Sequence, residues 1–199
     1  FFTDVTERRR TADALRDSEQ RLREAQQLAA LGSWELDLRS RALHWSEEVF
    51  RIFEIDPARF GASYDAFLAL IHPDDRAAVD EAYRRSVAEH RDYAISHRLL
   101  FADARIKHVH EQGRSFYADD GTPLRSVGTV QDITQRVLAE QALRASEASH
   151  REMFEANPHP MWVFDLGTLA FLAVNDAAVR KYGYSRDEFL DIRLADLRE

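Results

Sequence analysis

Cysteine is absent from the 199 residues, which removes disulfides, thiolate metal centres and cysteine nucleophiles together. Basic residues are the minority, 27 against 35 acidic, and the resulting net charge of −8 argues against nucleic acid as the main partner. Nowhere do eighteen apolar residues run together, so no segment reads as a membrane span. Phe1 is not a natural start, so an internal segment without a targeting signal is expected. A glycine-rich phosphate loop, a Gly-x-Ser-x-Gly elbow, a helix-borne His pair with a glutamate, a phosphoacceptor-histidine helix and a nucleotide-cyclase signature are all missing, so the fragment is expected to be non-catalytic. What is present is 45% hydrophobic content, enough for one domain of ordinary size plus extras.

Two stretches repeat 128 residues apart: of the 21 positions from Asp4 to Glu24, 10 are identical to those from Asp132 to Glu152. Trp34, Asp37 and Leu38 recur in the same register as Trp162, Asp165 and Leu166, so the repeated unit is a helix followed by the start of a globular domain, in a tandem array. Each helix has a start signal. Asp4 with Glu7, and Asp132 with Gln135, have capping-box spacing, around Thr6 and Thr134. Neither Gly nor Pro interrupts Val5 to Leu31, and such a helix would reach roughly 35–40 Å. Leu15, Ser18, Leu22, Ala25 and Ala29 follow alternating steps of three and four, a narrow seam. Two readings stay open: a solvated linker helix packed on its own domain, or a signalling coiled coil in a homodimer.

Between the helices the pattern is two strands, then helices, then three strands. Gly32 to Leu38 alternates and Ala42 to Trp45 follows as a hairpin partner. Ser46-Glu47-Glu48 starts a helix, Tyr64 to Ile71 makes another, and His72-Pro73-Asp74-Asp75-Arg76 caps a third that runs to about His90; three short helices and one longer one are expected in all. Asp92 to Phe101, Arg105 to Tyr117 and Leu124 to Gln131 then form an antiparallel group, with Asp119-Asp120-Gly121 as a hairpin turn.

In order and spacing, Gly32-Ser33-Trp34-Glu35, Trp45-Ser46, Ile71-His72-Pro73-Asp74-Asp75-Arg76, His97-Arg98, Asp119-Asp120-Gly121 and Gly128 to Thr134 resemble a PAS domain with its C-terminal PAC portion. Residues 158 to 199, with Val174-Asn175-Asp176-Ala177 and Tyr182-Gly183-Tyr184-Ser185, resemble the first half of a second one. The resemblance implies an α+β fold, a five-stranded antiparallel sheet with helices on one face, flanked by linker helices. The expected divisions are 1–5, the end of a preceding PAS domain; 6–30, a linker helix; 31–133, a complete domain; 134–156, a second linker helix; and 157–199, a truncated start that lacks its last three strands and is expected to pack poorly or borrow contacts. Ala104 stands where the family usually carries glycine in a turn, which puts the turn type in question.

The predicted core is Trp45, Phe50, Phe53, Phe67, Ile71, Val79, Tyr83, Leu99, Val109 and Val130, and the same residues would line a ligand cavity if there is one. His97 shares their strand face, as a hydrogen-bonded core residue or a ligand contact. His108 and His110 share the other face, two imidazoles without a third metal ligand, and His72 reads as a turn residue. Val79 stands where haem-binding relatives place their iron ligand, which argues against haem. Without cysteine, adduct flavin chemistry is excluded; non-covalent flavin or a small metabolite stays open. The resemblance further implies that Asp132 and Thr134, at the joint between the last strand and the exit helix, pass signal to an output domain in cis. That output is expected to be a histidine kinase, with a diguanylate cyclase or phosphodiesterase next, in a cytoplasmic array whose parent protein could be anchored elsewhere; a ligand-free structural spacer is the reading from another class.

Overall fold

The computed structural model describes residues 3–58, 61 and 63–197, and not the side chains of residues 3–8, 15, 19, 22 and 23. It divides into two compact units, residues 1–137 and 138–199.

The first unit opens with helix α1, Thr3–Leu28, and continues with β1 (Leu31–Asp37), β2 (Leu43–Trp45), α2 (Glu47–Phe53), α3 (Tyr64–Leu70), α4 (Pro73–Ala88), β3 (Tyr93–Leu100), β4 (Ile106–Tyr117) and β5 (Pro123–Asp132). The chain is already helical at Thr3, inside the 1–5 segment expected to end a preceding domain. Two short helices and one of 16 residues, rather than three short and one long, lie between the strand groups among the described residues.

The five strands form one antiparallel sheet in the order β2-β1-β5-β4-β3. The last strand is therefore the central one. Strand alternation sends Gly32, Trp34 and Leu36 of β1, Tyr93, His97 and Leu99 of β3, Val109 and Glu111 of β4, and Ser126, Gly128 and Val130 of β5 to the face that the helices cover. Val49, Ile52 and Phe53 of α2, Phe67 of α3 and Val79 of α4 close on Ile71, Leu99, Val109 and Val130 to form the core. Phe50, expected in that core, is only half-buried on the rim of α2, edge-on to Trp45 at 5.4 Å, because the turn of helix that buries Val49 and Phe53 turns it outward.

Local chemistry places each helix. The Ser63 hydroxyl accepts from Ala66 N–H at 3.1 Å and starts α3. His72 Nδ1 accepts from Asp74 N–H at 3.3 Å with Pro73 in the first turn, so His72 is the helix-start residue read from sequence. Asp75 takes both Arg98 Nε at 2.9 Å and Nη2 at 2.6 Å, and His72 N–H donates to Arg98 O, so the exposed edge of β3 is bolted to α4.

In the β3–β4 turn, Ala104 adopts φ 64°, with its N–H donating to Phe101 O at 2.9 Å. A Cβ in the left-handed region costs about 1 kcal/mol, offset in part by the freedom glycine gains on unfolding. Ala104→Gly is expected to stabilise the chain by roughly 0.5 kcal/mol, read as a small rise in thermal midpoint.

The second unit contains most of α5 (Thr134–Ala156), then β6 (Trp162–Phe164), β7 (Phe171–Val174), α6 (Asp176–Tyr182) and α7 (Arg186–Asp191). Poor packing is not what this segment shows. Phe189 is fully buried, edge-on to Phe171 at 5.3 Å and Tyr184 at 5.6 Å, in a core with Val174 and Ala178. Fully buried Asn175 holds it together: its Oδ1 accepts from Met161 N–H and Ala178 N–H, and its Nδ2 donates to Phe154 O and His159 O. One aromatic cluster and one saturated amide suffice for two strands and two helices.

Candidate functional site

A cavity of about 30 Å³ lies between the inner face of the sheet and the helices. Its floor is Trp34 and Leu36 of β1, Leu43 and Trp45 of β2, Tyr93 of β3 and Glu111 of β4; Val49 and Phe53 of α2, Tyr64 and Phe67 of α3 and Tyr83 of α4 roof it. Of the sequence-predicted residues, Trp45, Phe53, Phe67 and Tyr83 line this space. Ile71, Val79, Leu99, Val109 and Val130 are 0–1% exposed and pack as dry core beside it. Phe50 lies outside.

Two strands give up their side chains under the Trp34 indole of the cavity wall. Gly113 and Gly128 face each other across β4 and β5, Gly128 is paired with Trp34, and an added Cβ at either glycine would come within 2.4–3.0 Å of the indole. The indole therefore lies flat over bare backbone. Its Nε1 is buried with no hydrogen-bond partner.

Glu111 was not singled out from sequence, yet it is the most unusual group here. It is 4% exposed on the inner face. Its Oε2 accepts from Tyr93 OH at 3.2 Å, and no Lys, Arg or His lines the cavity among the described residues. Burial pushes its carboxyl up to about 8, against a smaller downward pull from the tyrosine. Ionising it would leave a charge in low dielectric without a counter-ion, so it keeps its proton at neutral pH. Tyr93 and Tyr64 are raised in turn, by burial first and then by Glu111 and Asp80 respectively. Tyr83 OH donates to Ser126 Oγ at 2.8 Å, which also meets Ser115 Oγ at 2.7 Å.

His97 packs edge-on to Phe67 with ring centroids 6.1 Å apart, and neither ring nitrogen has a partner. The hydrogen bonds expected of a core histidine are not made. Burial pulls it down to about 4, so it is neutral at pH 7. His110 Nδ1 meets Ser96 Oγ at 3.0 Å on the outer face, and no group of three or more potential metal ligands occurs among the described residues.

The joint beyond β5 is tied twice. Asp132 Oδ1 accepts from Thr134 N–H at 2.8 Å, two residues on rather than the three of a capping box. The Thr134 hydroxyl instead accepts from His108 N–H at 3.0 Å and lies 3.4 Å from His108 O, while Ile133 N–H donates to the same carbonyl. The first residue of α5 is thus hydrogen-bonded into the β4 ladder. Gln135 is exposed. Gln131, not predicted, donates from Nε2 to Ala29 O at 3.3 Å and links the same strand to the loop after α1. The corresponding expectations for Asp4, Thr6 and Glu7 lie outside the described side chains, as do Leu15 and Leu22 of the seam; Ser18, Ala25 and Ala29 are exposed.

Comparison with known proteins agrees with this geometry. Over 158 residues the chain is 30% identical to the sensor protein FixL of Bradyrhizobium diazoefficiens, covering 79% of this chain and 31% of that protein. It is 21% identical over 192 residues to the probable diguanylate cyclase DgcE of Escherichia coli, covering 96% of this chain and 17% of that one. It thus spans a third or less of these curated relatives. Among solved structures, a sensory box histidine kinase/response regulator from Burkholderia thailandensis superposes with a TM-score of 0.56 at 26% identity, covering 66% of this chain and 98% of that one. Residues 42–130 match the family described as PAS fold and residues 148–199 the one described as PAS domain. A five-stranded antiparallel sheet roofed by helices, the matched segments and these relatives lead to one assignment: the chain belongs to the PAS family of sensory domains.

Proposed function

We propose that this chain is a non-catalytic sensing and transmission module of a bacterial signalling protein, most consistent with a multi-PAS histidine kinase. A small molecule in the inner cavity displaces β5, and the displacement reaches α5 through Thr134. The observation that carries this reading is the shared joint: the central strand lies between β1 and β4, which line the cavity, carries the Trp34 indole over Gly128, and runs without a loop into a helix whose first hydroxyl is bonded to His108. A diguanylate cyclase parent is the alternative supported by the resemblance to DgcE. The small cavity volume favours a second reading, a spacer that binds nothing and sets dimer geometry. Dimerisation through the linker helices is part of either reading, since Leu28, Leu138, Leu143 and Met153 stand 50–91% exposed on α1 and α5. No described helix is long and apolar enough to cross a membrane, and the proposed site of action is the cytoplasm, with any anchor elsewhere in the parent.

Thr134→Val keeps the shape and removes the hydroxyl. The expected cost is about 1 kcal/mol, the worth of a partly buried hydrogen bond. Hydrogen exchange of the first two turns of α5 is expected to accelerate about fivefold, with the amides of β3 unchanged, and the parent's output should lose its response to stimulus. Unchanged exchange at α5 would end the transmission reading.

A further inference from the structure

We propose that the inner cavity takes a small organic ammonium ion, held by the Glu111 carboxylate and the surrounding aromatic rings. This deepens the sensing reading and rests on it. Seven of the eleven lining residues are aromatic and one is acidic. Rings stand close around the space, Tyr64 to Tyr83 at 5.2 Å and Tyr83 to Tyr93 at 5.7 Å. Aromatic faces attract a desolvated cation, and a buried carboxylate without a basic neighbour lacks what would make its charge tolerable. An ammonium ion supplies it. The partnerless Nε1–H of Trp34 favours a cation that also carries an acceptor oxygen. About 30 Å³ holds roughly two water-sized groups, which restricts the ligand to a few heavy atoms.

The proton balance is explicit. At neutral pH Glu111 carries a proton; the amine enters already protonated, the Glu111 proton leaves to solvent, and an ion pair remains. From α3, α4 and β3 the titratable groups facing Glu111 are Tyr64, Tyr83 and Tyr93, all neutral, and β1, β2, β5 and α2 contribute none. Affinity for the cation should therefore rise about tenfold per pH unit until Glu111 ionises unaided, near 8.

The test is calorimetric titration of the whole chain with ethanolamine and methylammonium, and with ethanol and acetate as neutral and anionic counterparts, from pH 6 to 8.5. The expected result is cation binding that strengthens with pH and releases close to one proton at pH 6.5. In Glu111→Gln, isosteric with the protonated acid, binding should fall at least tenfold and lose its pH dependence, while unfolding midpoints show the variant folded. Ethanol or acetate binding as well as the amines, or cation affinity independent of pH or of Glu111, would overturn the proposal and leave small-molecule sensing standing. No heat and no change in indole fluorescence with any probe would overturn both.

Discussion

Gly128→Ala is expected to be among the most damaging single-methyl additions in this protein, costing at least about 3 kcal/mol and lowering the thermal midpoint by roughly 10 °C. The new Cβ would lie 2.3 Å from Gln112 O and 2.4 Å from the Trp34 ring. A flexible side chain could yield, but a ladder carbonyl in the central strand pair cannot move without disturbing the β4–β5 register that also positions Thr134. Gly113→Ala, whose Cβ would meet Val127 O at 2.7 Å and the same indole at 2.9 Å, should cost less, and Gly61→Ala, with nothing within 4 Å among the described residues, close to nothing. Urea unfolding of the three variants tests that order. Combining Gly128→Ala with Trp34→Ala should recover only the part of the loss due to the indole, because the clash with Gln112 O remains. Equal midpoints for Gly128→Ala and Gly61→Ala would show that the indole does not lie on bare backbone.

Hydrophobic alternation and turn chemistry were enough to read the succession of strand groups along the chain, the hairpin at Asp119-Asp120-Gly121 and the exit helix, since each is a local pattern repeated over several residues, whereas the pairing of β1 with β5 is not local. Phe50 was misplaced because an amphipathic helix of seven residues leaves its edge positions undetermined until the neighbouring sheet is known. Glu111 was legible in principle, two residues from Val109 on the same strand face, but a glutamate is so seldom buried that composition outweighed parity. Thr134 was named for signal transmission at the joint beside the Asp132 cap, without the contact its hydroxyl makes. Its hydroxyl partner, His108, is 26 residues away in sequence, a contact no local pattern encodes. The same holds for Gln131 and Ala29, 102 residues apart.

Two buried titratable groups, Glu111 and His97, set opposite slopes on stability against pH, and Glu111→Gln should separate them. In the unfolded chain a glutamate gives up its proton near 4.5; in the fold Glu111 holds it to about 8. The folded state therefore binds the extra proton between those values, and stability falls as pH rises through that window, by about 5 kcal/mol in all. His97 runs the other way: the unfolded histidine takes a proton below 6.5 but the buried one only below about 4, so stability rises with pH from about 4 to 6.5, by about 3 kcal/mol. From pH 4.5 to 6.5 the two nearly cancel, and from 6.5 to 8 Glu111 acts alone. Wild-type stability should then be nearly level to pH 6.5 and drop by about 2 kcal/mol by pH 8. Glu111→Gln keeps an acceptor for Tyr93 OH and carries no proton to lose. Its stability should climb by about 3 kcal/mol from pH 4 to 6.5 and stay level to pH 8.5, so that the variant gains about 3 kcal/mol on the wild type by pH 6.5 and about 5 kcal/mol by pH 8. Asp75 and Glu54, each held down to about 2 by hydrogen bonds from Arg98 and Arg105, add a rise in stability that is complete by about pH 5.5, so the fall from pH 6.5 to 8 is clear of them. Urea midpoints from pH 4.5 to 8.5 decide the matter: a wild type as stable at pH 8.5 as at 6.5 would mean that Glu111 reaches water or a cation after all.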